Sequence, residues 1–253
     1  MNIGRRIGIL AAMATISVRS IRGQHPRGRS TGTLEQIVAD QKRIWMAPVA
    51  VIRGDGWRPA LGVVGATGIL IAFDPTLAPL LQRPAFQEAR PVAEFNRVLS
   101  GRHTALALNA FTWLFQIAGR LGAGPYLTET GLLAGEAAAN AEIVAMAMKH
   151  LDLRMRPSEV GPNGDFSRTW LRTKNRSWDG SGCFPSGHTA AAFAIATVFA
   201  ERYRGNKWIS AMAFGLAGLL GVSRLTTRAH FPSDVLFGAA LGCSVSHYVV
   251  LRR

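Results

Sequence analysis

The chain is short of the residues that build stapled or metal-held folds. Two cysteines in 253 residues, Cys183 and Cys243, are too few for a disulfide framework, and both read as free thiols. No CxxC or HExxH spacing occurs, so the familiar zinc arrangements are excluded. Internal repeats are absent. Acids are scarce: 15 Asp and Glu stand against 29 Lys and Arg, for a net charge of +14. A chain this basic can serve nucleic acid, yet it has neither a nucleic-acid motif nor a platform of aromatic and basic residues. Phosphorylated substrates and anionic lipid headgroups account for the charge at least as well. Apolar residues are abundant, at 48% of the chain, and the length suits one sizeable domain.

Two polar clusters interrupt the apolar C-terminal half. The first is Phe184-Pro185-Ser186-Gly187-His188. The second is Ser223-Arg224, five further residues, then His230-Phe231-Pro232-Ser233-Asp234. Residues 189–222 between them read as two helices joined by a polar turn at 201–207. A helical hairpin returns the chain to the side it left, so both clusters meet at one end of a bundle. Taken singly, Ser-Gly-His is usually a helix start, and a lone His is more often a core or surface residue than a catalyst. That bland reading does not explain why both clusters arrive at the same end.

Together the clusters hold the groups that phosphoryl transfer needs without a metal. The transition state spreads negative charge over its equatorial oxygens, so catalysis is largely positioning and electrostatic stabilisation. Arg224 can offer those oxygens a planar fork of donors. Pro185-Ser186-Gly187 at a helix start offers backbone N–H groups and the favourable dipole end. One His must attack or activate the nucleophile, and another must protonate the leaving oxygen. Asp234, with Pro232 between it and His230, falls in the first turn of the next helix. From there it can accept the His230 N–H and fix its tautomer.

A third cluster lies upstream, where Lys149 and Arg156-Pro157 read K-x6-R-P. If the preceding helix persists, a separation of seven puts both cations on nearly the same face. K-x6-R-P, P-S-G-H and S-R-x5-H-x3-D, in that order over residues 149–234, resemble the three motifs of the type-2 phosphatidic acid phosphatase and vanadium haloperoxidase superfamily. The resemblance implies an all-α, membrane-embedded bundle with a six-helix core. It implies that His230 is the nucleophile, forming a phosphohistidine, and that Asp234 orients and charge-balances it. His188 would protonate the leaving group and then activate water. Lys149, Arg156, Ser186, Gly187 and Arg224 would cradle the phosphate. No metal and no cofactor is called for. The first rival is a haloperoxidase, whose pocket would hold vanadate on His230; size and apolar helices favour the phosphatase branch. The second is a non-catalytic lipid-phosphate binder or transporter, against which His188, His230 and Asp234 all argue.

In chain order, residues 1–24 read as a signal-like or anchor segment. A basic start, Arg5-Arg6, precedes a short apolar stretch, but no clear small-x-small cleavage site follows. Residues 25–58 comprise a basic linker and an amphipathic helix over 33–51. That helix suits a membrane interface or packing on its own bundle, with Pro48 ending or kinking it. The phosphatase domain is expected over 59–253. Its apolar segments are 59–73, 104–118, 127–148, 189–200, 208–222 and 235–251, matching a six-helix core. Several are shorter than the ~20 residues that span a bilayer. Glu129, Glu136 and Glu142 in the third segment are costly in lipid unless they face the bundle interior. Loop 156–184, with Phe166, Trp170, Trp178, Arg168, Arg172, Lys174 and Arg176, reads as a lid or as a solvated connector.

The expected protein hydrolyses phosphate monoesters or pyrophosphates of lipids or small esters, in contact with membrane lipids and not with nucleic acid. A modest Lys and Arg excess opposite the catalytic loops points to an inner-membrane protein with a periplasm-facing site. A soluble periplasmic form is the alternative.

Overall fold

The computed structural model describes residues 34–52, 57–99, 101–161, 164–171 and 182–252. The signal-like segment and the basic stretch 25–33 lie outside these residues, as does 172–181, the centre of the lid reading. Among the described residues there are nine α-helices and no strand. They are α1 (Leu34–Ile52), α2 (Trp57–Gln82), α3 (Pro84–Gln87), α4 (Arg90–Val98), α5 (Gly101–Ala118), α6 (Pro125–Asp152), α7 (Gly187–Arg202), α8 (Lys207–Thr226) and α9 (Pro232–Ser244). Every predicted apolar segment is a helix, and α2 and α5 to α9 form the expected six-helix core. The chain is all-α.

Local chemistry explains most helix ends. Proline opens α3, α4, α6 and α9 at its first or second position, where a missing N–H costs nothing. Asn206 caps α8, its side chain accepting from the Trp208 amide at 3.0 Å. Helix α1 spans Leu34–Ile52, close to the expected 33–51, and Pro48 does not end it. One predicted end falls short. Helix α2 does not stop at Phe73 but continues through Asp74, Pro75 and Pro79 to Gln82. Asp74 is anchored by partners from distant parts of the chain, and those contacts override the local Asp-Pro breaker. The short helices α3 and α4 fill what read as a connection.

Helix α7 is the centre of the bundle. Ala190, Ala191, Ala194, Ala196 and Val198 are all buried, packed between α6, α8 and α9. Its contact with α9 is backbone on backbone. A Cβ at Gly242 would sit 2.1 Å from the Ala190 carbonyl oxygen, and one at Gly238 would sit 2.5 Å from that of Ser186. Glycine is required at both crossings because no side chain fits between the helices. Helix α1 lies against α6, where the Gln41 amide donates to Asn140 Oδ1 at 2.8 Å and Asn140 donates to buried Asp40 at 3.2 Å. Helix α1 thus packs on the bundle, with Val38, Trp45 and Met46 left exposed.

The outer surface is apolar. Leu61, Val64 and Ile69 on α2, Trp113 and Leu114 on α5, and Met212, Leu216 and Leu219 on α8 all point outward. Arg58–Gln82, Lys207–Thr226 and Pro232–Val250 are each long and apolar enough to cross a membrane. Glu136 is buried within the bundle, and Glu129 pairs with Arg202 at 2.7 Å, so both acids are turned away from lipid. The chain is an integral membrane protein.

Candidate active site

Helix ends gather at one end of the bundle. Helix α6 brings Lys149 there and stops at Asp152, because Leu153 turns left-handed at φ 46°. The helix therefore does not persist to Arg156, and a shared helical face is not what relates the two cations. Arg156 instead precedes a short turn, Pro157–Glu159, and donates to the Ala229 carbonyl at 3.3 Å. Ser186, fully buried, sits at the N-cap of α7, and its amide donates to the Asp234 carbonyl at 3.0 Å. Gly187 and half-buried His188 open that helix, whose first amides have no intrahelical acceptor. A Cβ at Gly187 would lie 3.8 Å from Lys149 Nζ, so the ammonium stands at the start of α7.

His230 and Asp234 form the buried centre. Pro232 starts α9 and places Asp234 in its first turn, as expected. One Asp234 oxygen accepts from the Phe231 amide at 2.7 Å and from the Cys183 thiol at 2.8 Å, and it lies 3.6 Å from His230 Nδ1. That last separation is an ion-pair distance, longer than a good hydrogen bond. Burial drives the His230 pKa down from 6.5 to about 4; Asp234 opposes the shift, and Lys149 and Arg156 add to it. The imidazole is therefore neutral at neutral pH. Burial pushes the Cys183 thiol well up, and neighbouring Asp234 pushes it further.

The structure thus brings His230, Asp234, Lys149, Arg156, Ser186 and Gly187 together. It places Arg224 differently. This buried guanidinium reaches the Leu99 carbonyl, Thr104 and the Ser223 hydroxyl at 2.9 Å, at the junction of α4 and α5. Only its backbone turns to the centre, accepting from the His230 amide at 3.2 Å. Beside His230 a small pocket is lined by Leu81, Gln82, Pro157, Leu225 and Arg228.

Sequence reasoning missed Arg154, Asp74 and Ser233. Arg154 is fully buried, bonding Asp234 Oδ1 at 2.5 Å, Asp74 Oδ2 at 2.6 Å and Ser233 Oγ at 2.9 Å. Its guanidinium lies between the Trp170 and Phe231 rings, 4.4 and 4.0 Å from their centroids. Burial opposes its charge, but Asp234 and Asp74 outweigh that and hold its pKa above the ordinary value. The available signal was Asp74, the lone acid of an apolar, membrane-length helix. Cys183, His230 and Asp234 also offer one ligand atom each, all within 4.8 Å of one another. Lys149, Arg154 and Arg156 surround that trio, and three cations suit an anion better than a metal ion.

Fold and site define a helical membrane protein with a buried histidine and aspartate set among cationic side chains. The PAP2 superfamily model matches residues 130–252, a stretch that holds all three motifs. A curated relative, the lipid A 1-phosphatase of Porphyromonas gingivalis, is 46% identical over 63 residues, which span 24% of this chain and 14% of that protein. Among solved structures, Aquifex aeolicus LpxE aligns at 24% identity and a TM-score of 0.43, over 70% of this chain and 90% of its own. A transmembrane PAP2 type phosphatidylglycerolphosphate phosphatase from Bacillus subtilis aligns at 19% identity and a TM-score of 0.45, over 85% and 94%.

Proposed function

We propose that this protein is a metal-independent phosphatase of membrane lipids, hydrolysing a phosphate monoester or pyrophosphate through a phosphohistidine. The observation that carries the reading is the buried, neutral His230 beside Asp234, with Lys149, Arg156 and the start of α7 around it. Neutrality matters because only an unprotonated ring nitrogen can attack phosphorus. With Nδ1–H directed at Asp234, Nε2 presents its lone pair. Nε2 bonds to phosphorus, the bond from phosphorus to the leaving oxygen breaks, and His188 gives that oxygen a proton. His188 then takes a proton from water, whose oxygen attacks the phosphohistidine and releases inorganic phosphate and free His230.

Lys149 and Arg156 neutralise the charge on the transferring group, and the first amides of α7 receive its oxygens, with Ser186 and Gly187 shaping that turn. For Arg224 to join them, its guanidinium must leave the Leu99 carbonyl. A lipid substrate fits the apolar outer surface and the name of the P. gingivalis relative. The site faces the periplasm in this reading, with the opposite loops in the cytoplasm.

The test is turnover by purified protein in detergent with EDTA present. The panel holds a lipid A 1-phosphate, phosphatidylglycerolphosphate, phosphatidic acid, a polyprenyl pyrophosphate and p-nitrophenyl phosphate. Phosphate release from at least one lipid and acid-labile labelling of wild type, both lost in His230→Ala, are expected. His188→Ala should lose more with an alkoxide leaving group than with p-nitrophenyl phosphate. Wild-type turnover in His230→Ala, or a strict need for Mg²⁺ or Zn²⁺, would refute the mechanism.

A further inference from the structure

The motif residues leave one buried charge cluster outside the proposed chemistry. Arg154 takes a middle position of K-x6-R-P, where the motif specifies nothing. It bridges Asp234 Oδ1 on α9 and Asp74 Oδ2 on α2, at 2.5 and 2.6 Å, with all three side chains at most 1% exposed. Ser233 closes the ring: its amide donates to Asp74 Oδ1 at 3.3 Å and its hydroxyl donates to Oδ2. A guanidinium this deep is costly unless every donor is matched, and removing a partner leaves a charge stranded.

The arrangement splits the work of the Asp234 carboxylate. One oxygen, Oδ1, belongs to Arg154; the other, Oδ2, serves the Phe231 amide, the Cys183 thiol and the His230 side. Held by Oδ1, the carboxylate cannot rotate, so Oδ2 stays toward the imidazole. Arg154 is itself fixed between two aromatic rings and tied to α2. We infer that Arg154, anchored by Asp74, is a positioning residue that orients Asp234 and sets the charge balance felt by His230. The inference rests on the phosphohistidine reading for its kinetic consequences and on geometry for the rest.

The two members of the bridge have opposite electrostatic effects. The charged and titratable groups that act on His230 or on its partner Asp234 are Lys149 and Asp152 from α6, Arg154 and Arg156 from the loop after it, Cys183 before α7 and Asp234 from α9; Asp74 on α2 acts through Arg154, and Arg228 from the turn after α8 lines the pocket beside the imidazole. Arg154→Met removes a cation and leaves the Asp234 charge uncompensated, so His230 should titrate at a higher pH. Asp74→Asn removes an anion and leaves Arg154 less neutralised, so His230 should titrate lower. Loss of packing alone has no reason to move the two variants in opposite directions.

The experiment is NMR of ¹³C-histidine-labelled protein in detergent micelles across pH, with the His230 signal assigned by its loss in His230→Gln. Turnover of the panel's best substrate is followed in parallel. Opposite displacements of the His230 titration are expected, with kcat for Arg154→Met down about 10–100-fold and KM within about twofold. Arg154→Lys keeps the charge but not the fork, so its titration should stay near wild type while kcat recovers in part. Displacements that are absent, or of the same sign, overturn the inference even if activity falls. Should Arg154→Met fail to fold, Asp74→Asn decides alone: a lower titration supports the inference and an unmoved one overturns it. A wild type without phosphatase activity refutes the proposed function, while the NMR titrations still decide the positioning role.

Discussion

The low His230 pKa makes a measurable claim about stability. In the unfolded chain this histidine titrates near 6.5, whereas in the native site burial holds it at about 4. At pH 7 both states are neutral and the residue adds nothing to pH dependence. As pH falls through 6.5 the unfolded state takes up a proton that the native state refuses, so stability drops until the native imidazole protonates near pH 4. At about 1.36 kcal/mol per pH unit, the full loss across that window is ~3 kcal/mol. Carboxylates titrate over part of the same range, so the measurement must be a difference. Wild type and His230→Gln should be unfolded thermally in the same detergent from pH 7.5 to 3.5. The variant removes the titrating group while keeping a buried polar side chain, so its stability should fall less steeply than wild type between pH 6.5 and 4. The gap between the curves should then plateau. Parallel curves throughout would show that the imidazole is not held neutral, and the nucleophile argument would lose its basis.

Two further outcomes test the frame around the site. Gly242→Ala puts a methyl group 2.1 Å from the Ala190 carbonyl oxygen, a backbone atom that cannot swing away; it should cost about 2–3 kcal/mol in thermal unfolding, and an unchanged Tm would refute the backbone contact between α7 and α9. For orientation, Ser167→Cys on the catalytic side and Gly205→Cys in the turn between α7 and α8, both exposed, would be made in a chain lacking Cys183 and Cys243. A membrane-impermeant thiol reagent should label only Ser167→Cys in cells with a permeabilised outer membrane, and the reverse pattern would place the site in the cytoplasm.

What the sequence discloses follows the range of the interactions involved. The six core helices were legible because apolar runs and their breaks are local. The meeting of the P-S-G-H and S-R-x5-H-x3-D clusters was legible because a two-helix hairpin allows little else. Asp234 could be put in the first turn of α9 because Pro232 marks a helix start. Helix ends set by distant contacts were not legible. Leu153 ends α6 in a left-handed conformation that leucine seldom adopts, with no glycine to announce it. The helical-face argument for Lys149 and Arg156 failed on that residue, although the fold brings both cations to His230 by another route.

Arg154 shows why the remainder of the site was hidden. Nothing local separates it from Arg156, two positions on, yet one is fully buried and the other is not. The difference is made by Asp74 and Asp234, each 80 residues away along the chain in opposite directions. A buried guanidinium is tolerable only where such partners already stand, so its environment is a property of the assembled fold and not of its segment. The same bridge accounts for the overrun of α2. The apolar segment was expected to end at residue 73, but in the fold Asp74 anchors Arg154 from within the helix, which runs on to Gln82. One ion cluster thus links the interior of an outer helix, the middle of the first motif and the acid of the third. A substitution at Asp74, far in sequence from every motif, should therefore be felt at His230.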